Sequence, residues 1–290
     1  MNRKSFLKAG LLLPFFNMNL KDFESEMIGD AQTTDLMPAM FVGHGNPMNA
    51  ISDNSYTQKW RSIGSQLSAP KAILCVSAHW QTRGTSVTYM EKPKTIHDFG
   101  GFPQELFDTQ YPAPGSPIYA QKAIDALKAV HVSKDMEWGL DHGCWSVLKP
   151  MFPQANIPTF QLSLDYNLSP AQHFALASQL QSLRSKGVLI IGSGNIVHNL
   201  GRLNWGGKAF DWAIEFDQLS KKLMSDGNFN SLVDYPKLGQ AALLSIPTNE
   251  HFLPLLYILA LKQPNESLSF FNESIDLGSV SMTSVMLGKQ

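Results

Sequence analysis

Two hydrophobic patterns alternate along this chain. The first consists of short, nearly continuous apolar runs: MPAMFVGHGNP (37–47), KAILCVSAHW (71–80), IPTFQLSLD (157–165) and GVLIIGSGN (187–195). Runs of this length, rich in Val, Ile, Leu and Phe and closed by Gly, Asn or Pro, predict strands buried on both faces. TSVTYME (85–91) and SVSMTSVML (279–287) add strands with more alternation. The second pattern is amphipathic. It predicts helices over Asn54–Ser68, 118–130, 169–187 and 212–227, with a loop feeding a short helix over 139–153, and the apolar stretch 251–262 reads as a further helix. Ser169 with Pro170 forms the clearest helix start, Gly187 the matching stop, and Pro254 is tolerated only near the beginning of its helix. Strands alternating with helices predict an α/β fold, a single domain with a central mixed, largely buried β-sheet flanked by helices.

One stretch follows neither pattern. Residues 92–118 hold five prolines and three glycines, and loops of this length are either functional or disordered. Phe99, Phe102, Phe107 and Tyr111 argue for the ordered, functional alternative. The start of the chain is different again. MNRKSFLKAGLLLPFF resembles a bacterial export signal of the twin-arginine kind, with Lys4 where the second arginine would stand. Residues 1–35 are therefore set aside as a leader, with an exported (periplasmic) and a cytoplasmic protein both open, and residues 36–290 are taken as the catalytic domain. No apolar run is long enough to span a bilayer.

Composition narrows the class. The 290 residues carry a net charge of −1, which gives no electrostatic reason to expect a nucleic-acid partner. Only 16% of residues are charged, which fits either a Ser/Asn/Gln-rich surface or one partly covered in an oligomer, and the oligomeric state stays open. Of the two cysteines, Cys75 reads as a buried apolar residue; Cys144 lies in DHGCW, and neither has zinc-finger spacing.

The histidines carry the chemistry. His44, His79 and His198 each follow a predicted buried strand, and His142 and His251 sit in polar turns. Ligands of open α/β sheets bind beyond the carboxyl ends of the strands, and several imidazoles converging there point to a metal. Glu250, next to His251, is an alternative ligand, because a non-haem iron facial triad uses two histidines and a carboxylate. On a helix these two side chains would diverge by about 100°, so only one of them would reach a shared ion. His97 and His142 have adjacent aspartates able to fix a tautomer, whereas His131 and His173 read as structural. GxSxG, HExxH and CxxC are all absent, which weakens serine hydrolase, zincin and thioredoxin readings.

Together MPAMFVGHGNPM, VSAHW, TIHDFGGFP, YPAPGSP, DHGCW, SGNIVHNL and EHFLPLLY resemble the class III extradiol ring-cleavage dioxygenases, nearest their 4,5-DOPA extradiol branch. The resemblance implies His44, His79 and His251 as metal ligands and His198 as the acid/base, near enough to be an additional ligand. It implies His142 as a residue contacting substrate or oxygen. It further implies Fe(II) for activity, with Zn(II) able to occupy the same site, and a catechol and dioxygen as substrates. The product would be a muconic semialdehyde. His97, Phe99 and Tyr111 are expected to bind the aromatic substrate, with Phe102 beside them. Three histidines without a carboxylate also suit a zinc hydrolase, and a non-catalytic binding protein is the third reading.

Overall fold

The four long apolar runs predicted as strands all join one sheet in the computed structural model, which describes residues 36–288. The leader reading of residues 1–35 lies outside the described residues. The strands are β1 (Ala39–Gly43), β2 (Ala72–Thr82), β3 (Thr85–Thr88), β4 (Val132–Asp135), β5 (Thr159–Asp165), β6 (Val188–Gly194), β7 (Leu268–Phe271), β8 (Ile275–Asp276), β9 (Val280–Ser281) and β10 (Ser284–Leu287). Eight of them order as β4-β3-β5-β2-β6-β1-β10-β7, while β8 and β9 form a separate hairpin. The centre, β5-β2-β6-β1, is parallel, and β10 and β7 continue it antiparallel, so the sheet is mixed as predicted.

Among the described residues, six helices of seven residues or more cover the two faces: α1 (Ser55–Gln66), α2 (Pro117–Ala126), α3 (His142–Met151), α4 (Pro170–Ser178), α5 (Asp211–Ser225) and α6 (Leu253–Leu259). Successive strand residues point to opposite faces. Ala72, Leu74 and Val76 therefore pack with Ala120, Leu176, Phe216 and Leu255. Ile73 and Cys75 pack on the other side with Trp60, Trp145 and Leu148. Cover on both faces is why these strands read as continuous apolar runs rather than alternating ones. Asn54 closes the start of α1 in a capping box with Thr57.

Three predicted elements differ. The helix over 169–187 is two helices, Pro170–Ser178 and Gln181–Ser185. At the join, the N–H groups of Gln179 and Leu180 bond to carbonyls three residues back, and the Gln179 side chain instead accepts from Lys128 and Ala129. The last strand is split: β9 pairs with β8, and only β10 joins the main sheet. Between them Met282 crosses Gly43, whose missing Cβ would lie 2.7 Å from the Met282 carbonyl oxygen. The helix predicted from His251 begins at Leu253, leaving Glu250 and His251 in a turn.

Arg184 is fully buried. Its Nε donates to the Met37 carbonyl (2.7 Å), one terminal nitrogen donates to the Leu261 carbonyl (2.9 Å), and both terminal nitrogens pair with Glu266. Burial raises the Glu266 carboxyl, but the hydrogen bonds from Arg184 and the Gln263 N–H together with the charges of Arg184 and Lys262 outweigh it, and the net shift is downward. Glu266→Gln is expected to cost about 3 kcal/mol in a denaturant titration at pH 7, because it leaves a buried guanidinium unpaired. A lowered carboxylate stabilises the fold above its ordinary value of 4.5 and loses that contribution as pH falls through the shifted value. The gap between wild type and variant should therefore narrow in acid. Both cysteines are free and buried. No helix among the described residues is long and apolar enough to cross a membrane.

Candidate metal centre

β2, β6 and β1 are parallel neighbours, so their carboxyl ends open on one edge of the sheet, the usual ligand crevice of such folds. His44 is the first residue past β1, and its N–H bonds to the Gly194 carbonyl at the end of β6 (3.1 Å). His79 lies within β2. There the register against β5 jumps from Val76–Leu162 to Gln81–Leu164, so four β2 residues face one. Such a bulge re-aims a side chain, and here the re-aimed segment carries His79. His251 is brought in by its own backbone, with the Asn195 N–H donating to its carbonyl (2.9 Å).

A Cβ on Gly194 would sit 2.1 Å from that His251 carbonyl oxygen. Gly194→Ala is therefore expected to push His251 out of place. About 1–3 kcal/mol of overpacking would appear as lost thermal stability, together with weakened metal uptake in a chelator competition. Unchanged uptake would show that the 249–252 turn adapts.

His44, His79 and His251 each offer a ring nitrogen, and all three lie within 4.8 Å of one another. Their tautomers follow from their partners. The Ser193 hydroxyl donates to the Gly143 carbonyl (2.5 Å), so its oxygen accepts from His44 Nδ1–H (3.0 Å). His251 Nδ1–H points to the Glu250 carboxylate (3.0 Å) and His79 Nδ1 to Asp98 (3.5 Å). The Nε2 atoms of His44 and His79 face each other at 3.2 Å, a separation at which they share either a proton or a cation. Two acceptors at that separation repel unless one or the other sits between them, and the donor set fits a metal ion.

Charge is consistent with this. Burial first, and then the neighbouring imidazoles, pull His44 and His251 well below their ordinary value. The same burial takes His79 down to about 3 and His198 to about 4. All four are neutral at pH 7, the state in which imidazole binds metals.

The other expected residues fall at different distances from this centre. His198 stacks on His251, with ring centroids 3.5 Å apart and planes within 9°. It lies on no helix; its N–H bonds to the Ser245 carbonyl and it bridges to Val280. His142 opens α3 and packs on His79 at 3.8 Å. Its Nδ1 is 3.0 Å from Asp98 Oδ2, off the ideal hydrogen-bond direction, and its N–H donates to Asp98 Oδ1 (2.9 Å). Phe99 meets His142 edge-on at 5.6 Å and Phe102 at 5.4 Å, so the proline-rich loop does wall the site. His97 sits behind that wall, donating from Nε2 to the Thr109 carbonyl (2.8 Å) and packing on Phe99 and Trp145.

Tyr111 is not brought to the histidines. It is fully buried, and its hydroxyl donates to the Phe152 carbonyl, just past the far end of α3. That end is about 15 Å from His142 at 1.5 Å per residue. His173 bonds to the Tyr257 hydroxyl (3.0 Å) in the core, and His131 is exposed, as expected of structural positions.

The aspartates exchange partners relative to the sequence order. Asp98 serves His142 and His79 rather than its neighbour His97. Asp141 caps α3 and accepts from Ser77 (2.6 Å). Burial, and then Asp98, raise the Asp141 carboxyl. Sequence reasoning missed Ser193, whose only local signal is its place in the small-residue end of β6.

A family model described as the catalytic LigB subunit of aromatic ring-opening dioxygenase matches residues 37–280. The chain is 48% identical to Escherichia coli 4,5-DOPA dioxygenase extradiol, covering 87% of this chain and 95% of that protein. It is 36% identical to the Beta vulgaris protein of the same name, covering 85% and 95%. The crystal structure of an uncharacterized Escherichia coli K12 protein superposes with a TM-score of 0.76 at 42% identity, covering 87% of this chain and all of that one.

Proposed function

This chain belongs to the LigB family of aromatic ring-opening dioxygenases, and from that premise we propose that it opens a DOPA-like catechol ring beside its two hydroxyls, an extradiol cleavage. The product is a muconic semialdehyde. The observation that carries the reading is the convergence of three ring nitrogens from His44, His79 and His251, two of them 3.2 Å apart. These residues hold the metal, and Fe(II) is the ion the reaction needs. When bound, it lowers the catechol's proton affinity and supplies the redox chemistry that dioxygen requires.

The chain's own groups do the rest. His198, neutral at rest and stacked beside His251, takes a proton from a catechol hydroxyl and returns it as the ring opens. His142, at the head of α3 and held by Asp98, contacts substrate or oxygen from the opposite side of His79. Phe99 and Phe102 exclude water and stack the ring, while His97 packs on Phe99 and holds that wall in place rather than touching substrate. The zinc hydrolase and binding-protein readings do not explain the family membership.

The test is oxygen uptake by apo-protein reconstituted anaerobically with Fe(II) and given L-DOPA, with absorbance followed for a yellow semialdehyde and a zinc-loaded sample in parallel. Uptake and colour with iron alone are expected, since zinc has no redox chemistry. No uptake with DOPA, protocatechuate or simple catechols would overturn the reading.

A further inference from the structure

Three neutral imidazoles leave a divalent cation with its full +2 charge, whereas a facial triad supplies one carboxylate directly. We infer that Glu250 and Asp98 restore this charge outside the ligand set, Glu250 as a positioning residue through the Nδ1–H of His251 and Asp98 as a charged neighbour of His79. The inference rests on the proposed metal site. Glu250 is the alternative ligand that the sequence left open, but its Oε1 lies 3.0 Å from His251 Nδ1, and it clusters with His198 and His251 rather than with His44 and His79. Thr248 holds the same oxygen through its hydroxyl (2.9 Å), so the carboxylate is fixed in that place. Asp98 reaches His79 Nδ1 at 3.5 Å from the other side of the site and is shared with His142. His44 has a neutral partner, Ser193.

The result is a graded ligand set: two histidines backed by carboxylates and one by a hydroxyl. A carboxylate accepting Nδ1–H makes Nε2 a stronger donor. The ligand set alone leaves the ion at +2, against +1 in a facial triad, and the carboxylates of Glu250 and Asp98 offset that charge from outside it.

The experiment uses the full chain and Co(II), whose visible bands report the ligand geometry and whose affinity is read by competition with a coloured chelator. Wild type, Glu250→Gln, Asp98→Asn, the double variant and His44→Ala are compared. Glutamine and asparagine keep the shape and an acceptor oxygen but remove the charge. Each single variant is expected to keep the wild-type bands and bind about 10–100-fold more weakly, and the double variant more weakly still. His44→Ala should lose the bands. Affinities of the singly substituted proteins within about twofold of wild type would overturn the inference. So would altered bands, which would show that the carboxylates only hold the rings in place. A wild-type protein showing no bands would remove the metal reading, and the inference with it.

Discussion

Alanine in place of His198 is expected to give a protein that keeps its metal and still binds a catechol, yet opens the ring about 10²–10⁴-fold more slowly, the range for a lost general acid/base. His198 lies outside the group formed by His44, His79 and His251; its ring lies flat on His251, with which and with Glu250 it forms a second cluster of possible ligands. Its removal leaves the three converging nitrogens in place. Burial takes it down to about 4, so at pH 7 it is a neutral acceptor, and the nearby Glu250 carboxylate favours the protonated form it adopts during turnover. Metal content and single-turnover oxygen consumption measured on the same sample decide the point. Normal turnover would refute the acid/base role; lost metal would make His198 a ligand.

The second large effect is the opposite pattern. His44→Ala should lose metal affinity by more than the ~10–100-fold typical of a supporting residue, and turnover with it. His44 is buried, its backbone is tied to Gly194 and its Nδ1 to Ser193, so its ring is fixed in place. Added Fe(II) in excess should restore little activity, whereas the same addition should leave the His198→Ala rate unchanged. An alanine variant at position 44 that bound metal as tightly as wild type would remove His44 from the site. The two substitutions thus separate holding the ion from moving the proton.

Much of this was legible along the chain. His44 announces itself because a buried strand and the residue past its end are contiguous, and the crevice at strand ends is a general property of parallel sheets, whereas His79, read as following its strand, lies inside β2 at the bulge. The aromatics of the proline-rich loop were likewise readable as a wall, though Tyr111 was not separable from Phe99 by type. Only the path of the loop puts one ring against His142 and the other beneath Phe152. Glu250 and His251 were expected on a helix, diverging; in the observed turn the carboxylate instead meets its neighbour's ring.

What the sequence determined by itself is therefore local: the apolar runs that become strands, the caps and breakers that bound the helices, and the histidines left at their ends. What the tertiary structure alone decided is which of these ends meet. The order β2-β6-β1 sets His44 and His79 at one edge, the β2 bulge turns His79 inward, and a backbone bond from Asn195 seats His251. The same assembly gives Asp98 to His142 rather than to His97, and Ser193 to His44 across 149 positions of chain. Strand order and side-chain pairing arise from contacts between residues far apart in sequence. No periodicity or propensity within one segment encodes them, so they come into being only as the sheet closes around its two cores.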